Sequence, residues 1–266
     1  MLLTMAVFDT EENNRTWMTE KTLLSMRRTV DFTRHHLVVS DNGSCPATHK
    51  LYADFGDVIS YIIYNGSNIG TAKALNKAWK LRQPGEHVCK IDNDVTWRHP
   101  GWADDIEEVF RREPRIGICG LKRKDLAETP YSSVSFYKSQ LLMLPHQPGQ
   151  RWVITIIVEV CHHIMGTCQA YNSLLLEEFG YLYQPGIYGF DDSLAAVRAH
   201  LCRRRFREGF LTVFLHGPEI DHIDPGGNAF NTRKEVYAGE QMSQFEAIKA
   251  EYTSGRRSPY YDGGDE

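Results

Sequence analysis

Apolar positions follow two spacings along residues 1–120, and each spacing predicts a different element. Short apolar runs typical of buried strands alternate with stretches in which apolar residues recur every three or four positions, as on one face of a helix. Strands are predicted at 1–8, 37–39, 58–64, 87–91 and 116–119. Helices are predicted between them at 17–30, 71–81 and 102–112. This alternation predicts an α/β fold, in which helices flank a mostly parallel central sheet.

The pattern is less regular in the second half of the chain. The proline-containing segment 122–150 is predicted to be an irregular insert. The elements predicted after it are a strand at 152–162, helices at 173–179 and 192–207, and a strand at 211–215. Glycine pairs beyond residue 225 indicate a C-terminal tail, with one helix at about 234–252. These breaks predict one domain over 1–224, followed by a tail over 225–266.

Composition narrows the class of protein but does not name a function. The chain has 266 residues, 42% of them hydrophobic and 24% charged, which excludes disorder, collagen and coiled coil as global descriptions. A net charge of -4 disfavours a protein that coats nucleic acid. No apolar run reaches the roughly 20 residues that span a bilayer, and the N-terminal segment lacks the basic region of a signal peptide. With six cysteines and no CxxC pair, we expect a cytoplasmic protein with reduced thiols.

Two aspartates directly follow the strand predicted at 87–91. Asp92 and Asp94 are separated by Asn93, and residues at i and i+2 of an extended segment point to the same side. Two like charges held close together are unfavourable unless a positive group lies between them. A hard divalent cation, Mg²⁺ or Mn²⁺, meets that need with oxygen ligands. The alternative is a solvated turn.

Three further features have both a functional and an ordinary structural interpretation. Asp191 and Asp192 open a helix, where capping explains one acid and leaves the other as a candidate general base. His222 follows a strand and is able to complete a metal site, or it is simply a surface histidine. Gly70 precedes a helix, where a glycine permits close approach to a ligand or a plain sharp turn.

Six segments occur in a characteristic order along the chain. They are Val-Val-Ser-Asp-Asn-Gly-Ser (38–44), Asn-Ile-Gly (68–70) with Ala-Leu-Asn-Lys-Ala (74–78), Ile-Asp-Asn-Asp-Val (91–95), Gly166, Gly-Phe-Asp-Asp (189–192), and the segment 209–222 that ends in Ile-Asp-His. Over roughly residues 3–224, this order resembles the family 2 glycosyltransferases. The segment 91–95 is similar to the family's DxD motif, and 189–192 is similar to its late acidic motif.

The resemblance implies a GT-A fold and inverting transfer of a sugar from a nucleotide-diphosphate donor, a UDP-sugar by default, with Mn²⁺ or Mg²⁺. Residues 1–120 would form the nucleotide-sugar-binding half, and 121–224 the acceptor and catalytic half. Asp192 would be the general base and Asp191 would bind the acceptor. The metal ligands would be Asp94, His222 and Asp92. The donor would contact Thr10, Asp41, Asn68, Gly70, Lys73, Asn76, Asp92, Asn93, Gly166 and Arg233.

Two other functions and several acceptors stay open at this point. A sugar-phosphate nucleotidyltransferase would carry a glycine-rich basic loop after its first strand, whereas residues 9–13 are acidic and lack glycine. A catalytically inactive binding module is disfavoured because Asp92, Asp94, Asp192 and His222 are all present. The acceptor is a glycan, a protein, a lipid-linked intermediate or a modified nucleic acid base. The sequence does not fix the oligomeric state.

Overall fold

The computed structural model describes residues 1–124, 140–144, 155–226 and 229–261. The strands are β1 Leu2–Val7, β2 His36–Asp41, β3 Ile59–Tyr64, β4 Val88–Ile91, β5 Val95–Trp97, β6 Ile116–Arg123, β7 Gln140–Leu144, β8 Ile156–Cys161, β9 Cys168–Tyr171 and β10 Leu211–His222. The helices are α1 Thr16–Thr29, α2 Pro46–Asp54, α3 Thr71–Trp79, α4 Trp102–Arg112, α5 Ser173–Phe179, α6 Asp191–Leu201 and α7 Ala229–Thr253.

The strands form one sheet in the order β3-β2-β1-β4-β9-β6-β10-β8-β7, and β5 pairs with β10. Strands β3, β2, β1 and β4 run parallel, as the strand–helix alternation predicts. Strand β9 enters antiparallel between β4 and β6, while β6 and β10 are again parallel. The predicted α/β class with helices flanking a largely parallel sheet is confirmed.

Helices cover both faces of the sheet. One core packs α1, α2 and α4 against residues such as Leu3 and Met5 of β1. The other packs α3, α5 and α6, with Trp79 and Phe179 fully buried. Neighbouring residues of a strand enter different cores because side chains alternate between the faces. Each large apolar side chain buried here stabilises the fold by roughly 1.5–3 kcal/mol. This packing fixes the strands, and the ends of the strands in turn position the polar residues described below.

Most predicted elements are present, and the differences have local causes. Helix α2 was not predicted, because few apolar residues mark its buried face. Strand β9 was not predicted, although all four of its residues are buried. The helix predicted at 192–207 ends at Leu201, before a run of arginines, and β10 extends beyond 215 to His222. Most of the predicted insert at 122–150 lies outside the described residues.

The C-terminal helix α7 packs on α6. Phe245 and Tyr252 of α7 are buried with Leu194 of α6. The predicted helix at 234–252 corresponds to α7, and the domain boundary at 224 stays a prediction. Among the helices in the described part of the chain, none has the length and apolar character needed to cross a membrane.

Candidate active site

Carboxylates lie at one edge of the sheet, where the parallel strands end. Asp9 follows β1, Asp41 is the last residue of β2, and Asp92 follows β4. Because these three strands are parallel, their carboxyl ends meet at the same edge. Ligands of open α/β sheets bind beyond that edge. The topology therefore gathers three acidic residues, among them the predicted site residues Asp41 and Asp92.

A buried guanidinium lies at the predicted metal site. Arg15 Nη2 lies 2.5 Å from Asp94 Oδ2, and Arg15 Nη1 donates to Asp224 Oδ2. His222 Nε2 lies 3.5 Å from the same oxygen of Asp94. Burial alone would lower the pKa of Arg15, but the Asp94 and Asp224 carboxylates raise it overall. The predicted ligands Asp94 and His222 are thus neighbours, and Asp224 extends the cluster.

Strand pairing brings Asp94 and His222 together. Strands β5 and β10 are antiparallel, with His222 opposite Val95 in the register. The Ile223 N–H donates to the Asp94 carbonyl oxygen at 2.9 Å. The end of β10 (Ile220, Asp221 and His222) is thereby fixed beside β5, although the two segments are distant in sequence.

The donor atoms of this cluster fit a divalent cation. Two carboxylates and one imidazole are ligands that Mn²⁺ accepts, and the carboxylates also suit Mg²⁺. Asp94 and Asp224 both bind the Arg15 guanidinium, so this position already attracts a positive group. Asp94, His222 and Asp224 would hold the metal, and its charge would replace that of Arg15 beside Asp94.

A second group of metal-binding residue types lies at the opposite edge of the sheet. The ligand atoms of His35, Asp104 and Glu107 lie within 4.8 Å of one another. Arg34 donates to Asp104, and the amino group of Met1 lies 2.9 Å from Glu107. Positive groups of the chain already balance these carboxylates, and His35 precedes β2 rather than following it. This group is therefore an ion-pair network remote from the strand ends that bind ligands.

Asp191, the residue predicted to bind the acceptor, forms a buried ion pair. Lys90 Nζ lies 2.5 Å from Asp191 Oδ2, and both side chains are about 5% exposed. Burial alone would lower the pKa of Lys90, but Asp191 raises it overall, with further contributions from Asp92 and Asp192. Lys90 therefore stays charged among three carboxylates. It links β4 to the start of α6.

Asp192, the predicted base, has a different environment. Its Oδ2 accepts from the Gly166 N–H at 2.9 Å and lies 3.4 Å from His163 Nε2, and its Oδ1 accepts from the Ser193 N–H. Burial alone would raise the pKa of Asp192, but the hydrogen bond and charge of His163 lower it overall. The side chain is 21% exposed, against 5% for Asp191. Asp192 is thus an ionised carboxylate that solvent reaches.

Gly166 lies between the Lys90–Asp191 pair and the His163–Asp192 pair. A Cβ at position 166 would collide with Lys90 Nζ and would lie 3.3 Å from Asp192 Cβ. Only a residue without a side chain leaves room for both the lysine and the carboxylate. The glycine therefore serves the packing of these groups, and its predicted contact with the donor stays a prediction.

Asp9 is a fully buried carboxyl at the end of β1. It accepts from Thr19 Oγ1 at 2.5 Å and from Asn93 Nδ2 at 2.8 Å. Burial raises its pKa to about 6, although these hydrogen bonds and Arg15 act in the opposite direction. Asn93, a predicted donor contact, therefore has a partner within the chain and joins β1 to the segment after β4.

We expect Asp9→Asn to reduce the pH dependence of stability. The native pKa lies above the unfolded value, so the carboxyl favours folding below about pH 4, and this contribution is lost as the pH rises through about 6. Across this whole pH range, titration of Asp9 lowers the free energy of unfolding of the wild type by about 3 kcal/mol. Urea unfolding at pH 4.5 and 7.5 should show the variant gaining about 2 kcal/mol relative to wild type at the higher pH, because about a third of the effect is already present at pH 4.5. Asp105→Asn, a half-exposed acid on α4, is the control, and equal behaviour of both variants would contradict the assignment.

Asp41 organises the loop after β2. Its Oδ1 accepts from the Gly43 and Ser44 N–H groups at 3.0 Å, and its Oδ2 accepts from Tyr52 Oη at 2.7 Å. His49 Nε2 lies 3.3 Å from Oδ1. Although burial would raise its pKa, these hydrogen bonds lower it overall, so Asp41 is ionised. Its predicted contact with a nucleoside stays a prediction.

The predicted donor residues around α3 hold another loop. Asn76 exchanges two hydrogen bonds with the backbone of Leu182, and the Ala72 N–H donates to Gln184 Oε1 at 3.0 Å. A Cβ at Gly70 would lie 3.0 Å from Ile187 Cα, so its glycine permits close packing of the same loop. The motif 68–76 thus supports the chain that leads to Asp191.

Four further residues are predicted to contact the donor. Asn68 Oδ1 accepts from the Gly70 N–H at 3.0 Å, within the loop that precedes α3. Thr10 exchanges hydrogen bonds with Asn13 in the turn after β1. Lys73 is exposed on α3. Arg233 belongs to α7, but its side chain lies outside the described residues.

Sequence reasoning missed the partners of the predicted residues. Three of these partners form ion pairs with predicted residues: Arg15, Lys90 and His163. The fourth, Asp224, pairs with Arg15 and so extends the cluster around Asp94. Tyr188 was also missed; burial raises its pKa, and Asp92 adds to that effect. Asp224 lies two residues after His222, which is a signal that a search for further ligands could have used. The other contacts arise from packing alone.

Among known proteins, solved structures share the fold of this chain. Protein-family models and curated protein sequences give no match. Among solved structures, the mannosyltransferase PcManGT from Pyrobaculum calidifontis, in complex with GDP-Man and Mn²⁺, matches with a TM-score of 0.63 and 16% identity over 93% of this chain. The chain has the GT-A fold. This match covers 64% of the mannosyltransferase, so this GT-A chain spans less than two thirds of that protein.

Two other solved structures share the GT-A fold of this chain. S. aureus TarS 1–349 in complex with UDP-GlcNAc matches with a TM-score of 0.53 and 18% identity, covering 85% of this chain and 61% of that one. GalNAc-T7 with UDP, GalNAc and Mn²⁺ matches with a TM-score of 0.58 and 12% identity, covering 84% of this chain and 44% of that one. These likenesses confirm the predicted fold.

Proposed function

We propose that this protein is an inverting glycosyltransferase, which moves a sugar from a nucleoside-diphosphate donor to an acceptor hydroxyl. The observation that carries the proposal is the presence, on one GT-A sheet, of two acidic centres near the end of β4: Lys90 in β4 binds one of them, and Asp94 just after β4 belongs to the other. One centre is Asp94 with His222 and Asp224, and the other is the pair Asp191 and Asp192. The first suits a cation and a diphosphate, and the second suits an acceptor hydroxyl.

The donor side of the proposal uses the strand ends. Asp9 and Asp41 border the position where a nucleoside would lie beyond β1 and β2, and we propose a UDP-sugar as the donor. Mn²⁺ or Mg²⁺ bound by Asp94 and His222 would neutralise the diphosphate and stabilise the charge that develops on the leaving group. The mannosyltransferase and GalNAc-T7 structures named above contain Mn²⁺, which supports a metal of this class.

On the acceptor side, we propose Asp192 as the general base. It is ionised, more exposed than Asp191, and held in place by Gly166 and Ser193 N–H groups. Its lowered pKa makes it a weak base for a free hydroxyl, but the hydroxyl becomes strongly acidic as its oxygen bonds to the anomeric carbon. Proton transfer then follows bond formation. A single displacement of this kind inverts the anomeric centre.

Nucleoside diphosphates are expected to stabilise the protein in the presence of Mn²⁺. A ligand at 100 times its Kd stabilises by about 2.7 kcal/mol, which raises the Tm of a protein of this size by roughly 5 °C. Thermal unfolding with UDP or GDP and Mn²⁺ measures the effect, with UDP plus a chelator and UMP plus Mn²⁺ as controls. Absence of stabilisation by every nucleoside diphosphate tested with Mn²⁺ would overturn the proposed function.

A further inference from the structure

The chain enters the catalytic helix through an unusual backbone conformation. Residues 181–190, termed here the α5–α6 loop, end in Gly189 with φ of 84° and Phe190 with φ of 64°. A bulky residue in the left-handed region is strained, and it stays there only where its surroundings hold it. Asp191 and Asp192 come next. Besides their own ion pair and hydrogen bonds, both carboxylates therefore depend for their position on what fixes Phe190.

The group that holds Phe190 belongs to α7. The rings of Phe190 and Phe245 are stacked, with 4.6 Å between centroids and 14° between planes. Phe245 is 9% exposed and packs with Leu194, one turn into α6. The Leu194 N–H donates to the Phe190 carbonyl oxygen at 2.9 Å, which is the first turn of that helix. The stack and the start of α6 thus form one packed unit.

Further contacts fix the same loop to the C-terminal segment. A Cβ at Gly186 would collide with the Gln241 side chain, so α7 touches the middle of the loop. Arg198 of α6 is buried and donates to the carbonyl oxygens of Tyr181 at 2.6 Å and Pro259 at 3.1 Å. Gln241 within α7 therefore contacts the loop, and Pro259, which follows the end of α7, is bound to Arg198 of α6.

Helix α3 does not replace these contacts. Its hydrogen bonds go to Leu182, Gln184 and Ile187 of the loop, and none of them goes to Phe190. Of the two left-handed residues before Asp191, Gly189 accepts a hydrogen bond at 3.2 Å from Gln184, which α3 holds, whereas the ring that packs on Phe190 comes from α7. The two helices thus hold different parts of the loop.

We infer that α7 is a positioning element for the catalytic carboxylates, and that Phe245 acts by holding Phe190 in its left-handed conformation. The inference rests on the proposed function of Asp191 and Asp192. Phe245 touches neither carboxylate, so it acts through Phe190. Loss of its ring returns Phe190 to an ordinary conformation and moves both carboxylates from their positions. Donor binding at the strand ends is left intact.

Phe245→Ala tests the inference, with Met242→Ala as its control. Met242 lies on the same helix and is 47% exposed, so its truncation removes no packing on Phe190. The readout is Mn²⁺-dependent hydrolysis of UDP-GlcNAc and GDP-mannose. Phe245→Ala is expected to lower kcat between about tenfold and 100-fold, the effect of a small misplacement, with KM for the donor within about twofold of wild type. Phe245→Leu, which keeps an apolar contact, should fall between the two.

A double variant separates positioning from simple loss of packing. Glycine adopts the left-handed conformation without strain, so adding Phe190→Gly to Phe245→Ala is expected to restore most of the lost kcat. No restoration, or a loss in Phe245→Ala no larger than in Met242→Ala, would overturn the inference. An equal fall in kcat/KM caused by a raised KM would overturn it as well.

Hydrogen exchange provides a readout that does not need turnover. The amides of residues 186–194 should exchange faster in Phe245→Ala than in wild type, while those of β1 and β4 stay unchanged. Unchanged exchange over 186–194 would overturn the inference even if the enzyme were active. Failure of the wild-type protein to hydrolyse either donor would instead count against the proposed function, and exchange would still decide the role of Phe245.

Discussion

Asp192→Asn is expected to lower the rate of sugar transfer to water by about 10²–10⁴-fold, the usual contribution of a general base, without changing donor binding. The amide keeps the size of the carboxylate and still accepts from Gly166 or Ser193. It cannot take up the proton of an attacking hydroxyl. The measurement is kcat for Mn²⁺-dependent donor hydrolysis, together with stabilisation by the matching nucleoside diphosphate.

The matched control for this variant is Asp105→Asn. Asp105 also lies in the first turn of a helix, α4, and its Oδ2 lies 2.9 Å from His99 Nε2. It thus reproduces the helix position and the histidine contact of Asp192 away from the site. Near-normal hydrolysis by Asp192→Asn would show that the base is another residue. If Asp191→Asn then abolished hydrolysis, the two roles would be exchanged.

Asp94→Ala is expected to abolish the Mn²⁺-dependent stabilisation by nucleoside diphosphates. The substitution removes the carboxylate that links Arg15 and His222, and with it the main oxygen ligand proposed for the metal. It also leaves buried Arg15 with only part of its charged surroundings, so we expect a loss of about 1.5–3 kcal/mol in the free energy of unfolding. Thermal shifts with and without Mn²⁺ separate the two effects.

Asp57→Ala controls for the loss of a charged pair. Asp57 pairs with Arg27, but its side chain is 61% exposed, and such surface pairs contribute roughly 0.2–1 kcal/mol. It should therefore bind nucleoside diphosphate and Mn²⁺ as the wild type does. If Asp94→Ala kept the same Mn²⁺-dependent shift as Asp57→Ala, the metal would have to bind elsewhere, and the cluster around Arg15 would be only an ion-pair network.

The strand ends of this fold could be predicted from the sequence because local signals mark them. Apolar runs ending in Asp41 and Asp92 identify β2 and β4, and parallel topology brings their ends to one edge. The ordered motifs, rather than the residue spacing, predicted that His222 approaches Asp94. In this structure 3.5 Å separates the two side chains. The predicted roles of these residues await experiment.

The rest of the site depends on packing that no local pattern encodes. Arg15 reads as an ordinary charged residue before a helix, yet packing buries it between Asp94 and Asp224. The motif around Gly70 and Asn76 suggests a ligand loop, but the structure uses both residues to hold the α5–α6 loop. Predicting these contacts would require the path of a loop more than 100 residues away.

Donor hydrolysis by the wild-type protein tests the central claim most directly. The measurement is release of nucleoside diphosphate and free sugar from UDP-GlcNAc, UDP-GalNAc and GDP-mannose, with Mn²⁺, with Mg²⁺ and with a chelator. We predict slow hydrolysis of at least one donor, dependent on the metal and lost in Asp192→Asn. No hydrolysis of any donor with either metal, or hydrolysis that Asp192→Asn leaves unchanged, would contradict the account.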